Sequence, residues 1–343
     1  MTMSLAAEAR AAGADEPLMR IDDLTIRFKL GSGLSGIMSD LPKHLDAVDR
    51  VSLDIRKGEV LGLVGESGSG KTTIGKAILR LYDAHQGSIF FRGTDITKLR
   101  GSALRALRRD LQMIFQDPAS SLNPRQTVRT VLATPLLLHR VCPHDEVDRK
   151  VDEILTQVGL SPIFRNRYPH ELSGGQLQRV AIGRALTLSP DLIVADEAVS
   201  KLDVSVRSQI LNLFRDIQEE LGTTIVFITH DLHVARYLCH RIGVMYFGKL
   251  LELGPTNEIY ENPRHPYTEA LLGTLKPTAK DDAEVAVAEA GEAYNPTGTT
   301  VGCRYYARCP YRVDHCQTTH PPLENISEEH SVACYEWQRI AQR

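Results

Sequence analysis

One stretch constrains this chain more than any other: Gly65-Glu66-Ser67-Gly68-Ser69-Gly70-Lys71-Thr72, directly after the apolar run Val60–Val64. It matches the P-loop pattern, and its context predicts a strand before it and a helix after it. Glycines let several backbone N–H groups converge on phosphate oxygens, and a helix N-terminus adds partial positive charge. Gly65, Ser67, Gly68, Gly70, Lys71, Thr72 and Thr73 are therefore candidate nucleotide-binding residues. Lys71 is placed to neutralise the β- and γ-phosphates, and the Thr72 hydroxyl to ligate Mg²⁺.

The remaining pattern predicts an α/β fold. Val60–Val64, Leu111–Phe115, Leu192–Ala195, Ile225–Ile228 and Ile242–Tyr246 are short runs that are mostly apolar, without alternation. Such runs suit strands buried on both faces of a mainly parallel sheet. Helical stretches are expected at Thr72–Leu81, Gly101–Arg109, Asp145–Val158, Gly175–Leu188 and Val206–Leu221. Ahead of these, Ile21–Phe28 alternates as an exposed-edge strand does, and Ala47–Ile55 reads as a second strand. The Gly/Ser-rich Gly31–Lys43 between them reads as a mobile loop. The divisions expected are a disordered N-terminus over 1–17, a nucleotide-binding domain over 18–272, a linker over 273–302 and a Cys-rich tail over 303–343.

Composition excludes several classes. The 343 residues carry 40 basic and 43 acidic side chains, net −3, without the clustered basic excess of a nucleic-acid coat or a polybasic membrane anchor. No apolar run approaches the roughly 18–20 residues that span a bilayer, and Met1–Pro17 lacks the apolar core of a secretory signal. The expectation is a cytosolic chain whose membrane role comes through partners.

Leu192-Ile193-Val194-Ala195-Asp196-Glu197 supplies the second half of a nucleotide site. Asp196 emerges at the end of a buried strand near the Mg²⁺ shell, and Glu197, one step on, reaches the attacking water as general base or as its orienter. Leu172-Ser173-Gly174-Gly175-Gln176 makes a second nest of N–H donors about 100 residues beyond the first. One nucleotide cannot readily use both nests of one subunit, so the second should serve ATP bound to a partner. Here the chain resembles the ABC-transporter ATPase family, over about Ile21 to Leu272. The resemblance makes Ser173–Gln176 the signature motif, Gln116 the Q-loop glutamine, Ser200-Lys201-Leu202-Asp203 the D-loop and His230 the switch histidine. Phe28 stands where that family often stacks an aromatic on adenine; a lone Phe on such a strand also reads as core.

A narrower resemblance lies in Phe115–Pro118, Ser120–Arg125, Arg167–Ser173 and Asn262–Tyr267, which are similar to the oligopeptide/dipeptide importer ATPases. It implies an α/β P-loop cassette with an antiparallel β subdomain and a helical subdomain. It further implies a second, related ATPase subunit, two membrane permeases and an extracytoplasmic solute-binding protein, with this chain at the cytoplasmic face of the membrane. In the implied cycle, ATP sandwiched between Lys71, Thr72, Asp196 and Glu197 of one subunit and Ser173–Gly175 of the other closes the pair, and hydrolysis reopens it. Two positions depart from the subgroup: Ala198 replaces a proline beside Glu197, and Lys201 puts a cation into the D-loop. The rival classes are a soluble ABC ATPase acting on nucleic acid or ribosomes and a regulator with a vestigial site. One cassette without heptads argues against the first, and Glu197 with His230 against the second.

Cys142 and Cys239 are isolated and read as packed thiols. The other cysteines form Cys303-x₅-Cys309-x₆-Cys316-x₁₇-Cys334, enough for a four-thiolate site holding Zn²⁺ or a [4Fe–4S] cluster. No tight Cys-x₂-Cys knuckle occurs, and Pro310 follows Cys309, which leans towards the cluster, as do the similar tails of the importer ATPases. Zinc and unligated thiols stay open. Tyr305, Tyr306, Tyr311 and Trp337 are expected to pack around the site.

Overall fold

The computed structural model describes residues 16–30, 44–273 and 301–341. The expectations for the N-terminal lead-in before Glu16, the loop 31–43 and nearly all of the linker lie outside the described residues. Two sheets form the frame. The smaller is antiparallel, built from β1 (Met19–Lys29), β2 (His44–Ile55), β4 (Gln86–Phe91) and β5 (Thr94–Asp95) in the order β2-β1-β4-β5. The larger contains β3 (Val60–Val64), β6 (Leu111–Ile114), β7 (Leu192–Asp196), β8 (Thr224–Thr229), β9 (Arg241–Tyr246), β10 (Lys249–Pro255) and the two-residue strands β11 (Glu324–Asn325) and β12 (Ser331–Val332). Its order is β11-β12-β10-β9-β3-β8-β7-β6, parallel from β9 through β6 and antiparallel beyond β9.

The unbroken apolar runs have the predicted cause. Leu61, Leu63, Val194, Val226 and Ile228 face the core shared with the small sheet, whereas Val60, Val64, Ile193, Ile225 and Phe227 face the core beneath the helices. Side chains alternate between faces, and here both faces are dry. β1 departs from expectation: it lies inside the small sheet, paired with both β2 and β4, and is no edge strand. Its alternation reports one solvated face, which an antiparallel sheet permits at any position.

The helix after the phosphate loop, Lys71–Ile78, stops three residues short of the expected end, because Arg80 adopts φ 53° and sends its guanidinium inward to the Ile96 carbonyl (2.8 Å). The second core is roofed by the helices Val128–Leu138, Val147–Gln157 and Gly174–Leu186. The C-terminal segment packs on the same body: β12 pairs with β10, and Cys303, Tyr305 and Cys316 belong to the core beneath the helices.

Candidate functional site

Four loops meet at the C-terminal ends of adjacent parallel strands, where open α/β sheets bind ligands. The phosphate loop follows β3, Gln116 follows β6, Glu197 follows β7 and His230 follows β8. Gly65, Gly68 and Gly70 all have positive φ, and a Cβ at Gly65 would lie 2.1 Å from the Met245 carbonyl of β9, so only glycine fits there. Lys71 is buried, and its ammonium donates to the carbonyls of Gly65 (2.8 Å) and Glu66 (2.7 Å) and to Ser69 Oγ (3.1 Å). All three of its protons are thus spent on the loop itself. Burial holds its pKa below the usual lysine value, with the Glu197, Asp196 and Glu66 carboxylates pulling the other way. Ser67 and Gly68 are exposed at the rim, and Thr72 and Thr73 half-buried at the helix start.

Thr72 Oγ1 donates to Asp196 Oδ1 at 2.8 Å. Burial raises the Asp196 pKa and the Thr72 bond opposes it. A hydroxyl and a buried carboxylate side by side are hard oxygen donors of the kind Mg²⁺ prefers, and a divalent cation would offset the cost of ionising Asp196. Glu197 sits in the left-handed region (φ 47°), fixed by its N–H to the Ile228 carbonyl (2.9 Å) and by its own carbonyl, which accepts from Ser200 N and Oγ. Its carboxylate accepts from Gln116 Nε2 at 2.5 Å and lies 3.4 Å from His230 Nδ1. Gln116, Glu197 and His230 are thereby brought together beside the Thr72–Asp196 pair.

Ser173 and Gln176 spend their hydrogen bonds on one another, as a capping box on the helix Gly174–Leu186. Gly175 lies against the helix Val204–Leu221, where a Cβ would meet Val206 Cγ1 at 2.5 Å. Asp203 caps that helix through Val206 N (2.9 Å), and this backbone bond holds its carboxyl below the ordinary range. Phe28 packs edge-on against Tyr82 with centroids 5.2 Å apart and is half-buried. Ala198 is buried, and Lys201 pairs with Asp117 at 3.4 Å, joining the D-loop stretch to the residue after Gln116.

Sequence reasoning missed the supports of the loop. Tyr267 OH accepts from Glu66 N (2.9 Å), and Arg308 Nη1 reaches both Glu66 oxygens (3.1 and 3.3 Å). The one available signal was the aromatic-rich, Pro-rich stretch around Tyr267. Far along the chain, Cys303, Cys309, Cys316 and Cys334 line one enclosed cavity with His265, Tyr305, Tyr306, Tyr311 and Tyr335. Trp337, which opens the terminal helix Trp337–Ala341, is not among its lining residues, contrary to expectation. Burial pushes the thiols of Cys303 up to about 11 and of Cys309 and Cys334 up to about 12, and neighbouring thiols add to it. Among the described residues, no group of three or more His, Cys, Asp or Glu side chains is set to hold a metal ion.

A phosphate loop, a Thr–Asp pair and an oriented carboxylate define a P-loop nucleoside-triphosphatase. The comparisons narrow the class. The family model for the ABC transporter matches residues 48–200, and the model for the oligopeptide/dipeptide transporter C-terminal region matches 251–316. The oligopeptide transport ATP-binding protein AppF of Bacillus subtilis is 44% identical over 327 residues, covering 94% of this chain and 98% of that protein. Among solved structures, the dimeric ATP-binding cassette MJ0796 bound to ADP and Pi aligns with TM-score 0.61 and 30% identity, over 69% of this chain and 98% of that one. The cassette cbiO1 of Clostridium perfringens, part of an ABC transporter complex, aligns with TM-score 0.62 and 27% identity, over 72% and 92%. The chain belongs to the ABC transporter family of ATPases, in its oligopeptide/dipeptide branch. A soluble ATPase acting on nucleic acid or ribosomes is not favoured. No helix among the described residues is long and apolar enough to cross a membrane.

Proposed function

We propose that this chain is the ATP-hydrolysing subunit that powers import of oligopeptides or dipeptides, docked at the cytoplasmic face of the membrane on two permeases fed by a solute-binding protein. The observation that carries the reading is the Glu197 carboxylate, held between Gln116 and His230 beside the Thr72–Asp196 pair. Thr72, Asp196 and Gln116 would hold Mg²⁺, which would supply charge neutralisation to the bound triphosphate. Lys71 gives up loop oxygens for phosphate oxygens, and Glu197 takes the proton of the attacking water while His230 steadies its far oxygen. Ser173–Gln176 and Asp203 serve the nucleotide of a second, related ATPase subunit, and Phe28 offers its half-exposed ring to adenine. ATP binding thereby shifts the permeases between two states, as a coupling free energy. Co-purification in detergent with two polytopic permeases, and an ATPase rate that rises with peptide-loaded binding protein, is the result expected. A soluble dimer that instead responds to RNA would overturn the reading.

The permease contact is proposed at Ser120–Arg125 and Tyr168–Glu171. Both stretches are mostly exposed and tied to the helices that roof the second core, through Arg184 to the Ser121 carbonyl (2.9 Å) and Val128 N to the Arg167 carbonyl (2.9 Å). Crosslinking from a cysteine placed at Asn123 should capture a permease loop; its persistent failure would count against this surface. The four-thiol cavity is proposed to hold a [4Fe–4S] cluster, with Zn²⁺ as the rival. Support comes from the four thiols lining one cavity, which His265 and Glu336 also line. Anaerobically purified protein should be brown, with roughly four irons per chain. One equivalent of zinc in colourless protein would decide for the rival.

A further inference from the structure

Glu66, the second residue of the phosphate loop, is gripped at both ends by the C-terminal part of the chain. Its backbone N–H goes to Tyr267 OH, its carbonyl accepts from Lys71 Nζ, and its carboxylate is bound by Arg308. Arg308 closes the one-turn helix Tyr306–Arg308, and Cys309, next in sequence, ends that turn through a bond from its N–H to the Tyr306 carbonyl (3.2 Å). The turn itself is anchored: Tyr305 is buried, with ring centroids 5.4 Å from both Tyr246 and Tyr267. Cys309 and Arg308 thus belong to one anchored turn, and Tyr267 holds the loop backbone beside it.

Charge decides what this grip does. A triphosphate is a polyanion, and Glu66 sets a carboxylate near the Lys71 ammonium that must receive it. Arg308 neutralises that carboxylate from behind, with its own side chain only 19% exposed against 40% for Glu66. We propose that Arg308 is a positioning residue through which the C-terminal segment sets the affinity of the phosphate loop for ATP, and that Cys309 ties this control to the four-thiol cavity. The Arg308–Glu66 link stands on the ion pair alone; the tie to the cavity rests on the metal-cluster reading above.

The test is the Kd of the purified full-length chain for Mg-ATP, with iron content read on the same samples. Arg308→Ala should weaken binding about fivefold, the upper end for a partly exposed ion pair. Arg308→Lys should recover most of the loss. Adding Glu66→Gln to Arg308→Ala should return the Kd to within about twofold of wild type, because the uncompensated charge is gone. An unchanged Kd in Arg308→Ala, or a loss that Glu66→Gln leaves in place, overturns the link, as does a Kd loss matched by a lowered unfolding midpoint in Arg308→Ala, which would mark the arginine as structural. Cys309→Ser should shift the Kd in the same direction as Arg308→Ala. Iron-bearing protein whose Arg308→Ala variant binds normally refutes the link and keeps the cluster. Iron-free protein that shows the rescue pattern keeps the link and refutes the cluster.

Discussion

At the residue scale, the proposed site sets Lys71 and Asp196 where burial strips water from their charges. Lys71 is buried with every proton bonded to the loop, so a phosphate group replaces bonds of similar geometry and adds full charge. Lys71→Ala should therefore weaken nucleotide binding by about tenfold or more, the scale of a charge-assisted hydrogen bond, measurable by equilibrium dialysis. Asp196 has the opposite problem. Burial raises its pKa, so the neutral form gains ground as pH falls, and Mg²⁺ requires the ionised form. Mg²⁺-dependent ATP binding should weaken towards acid pH and release protons there. Calorimetry in buffers of different ionisation enthalpy reads that release, and a buffer-independent heat would contradict it. The placement of Lys71, Thr72, Asp196 and Glu197 at strand ends was legible because each is fixed by spacing from an apolar run. Arg308 was not, since nothing local to it reports a partner 242 positions away.

At the element scale, strands buried on both faces were legible as apolar runs, with ends correct to one residue. The helix Val128–Leu138 was not: Pro135 lies inside it, and its residues are apolar on most sides, which erases the amphipathic stripe. β10 was missed because its run is broken by Glu252, a fully buried carboxylate that reads as a surface residue. Glu252 accepts from Arg264 N (2.7 Å), His265 N (3.0 Å) and His330 Nε2 (2.8 Å), and so joins β10 to the chain preceding β12. Glu252→Ala strands two buried N–H donors at about 1–3 kcal/mol each, so a loss of about 3 kcal/mol or more in unfolding free energy is expected. Adding His330→Ala should cost little further, because the shared interaction is already gone. Fully additive losses in denaturant titrations would show that the two do not act together.

At the scale of the whole molecule, one chain carries two N–H nests. The first sits with Lys71 at the end of β3. The second, at Ser173–Gln176, is bonded within itself on the far helix Gly174–Leu186. On the reading proposed above, the second would serve the nucleotide of a second ATPase subunit; the solved dimeric cassette that aligns with this chain has the same class of fold. The Lys201–Asp117 pair adds a link of this chain's own between the D-loop and the segment after Gln116. Both groups are exposed, so the pair is expected to tune the coupling and not the fold. On the proposed mechanism, hydrolysis passes through Glu197. Its most direct test is the steady-state ATPase rate of the assembled transporter carrying Glu197→Gln in this chain alone. The amide keeps the size and hydrogen-bonding shape of the side chain without accepting a proton, so the account predicts retained ATP binding and a rate loss of at least about 100-fold. An unchanged rate would contradict it.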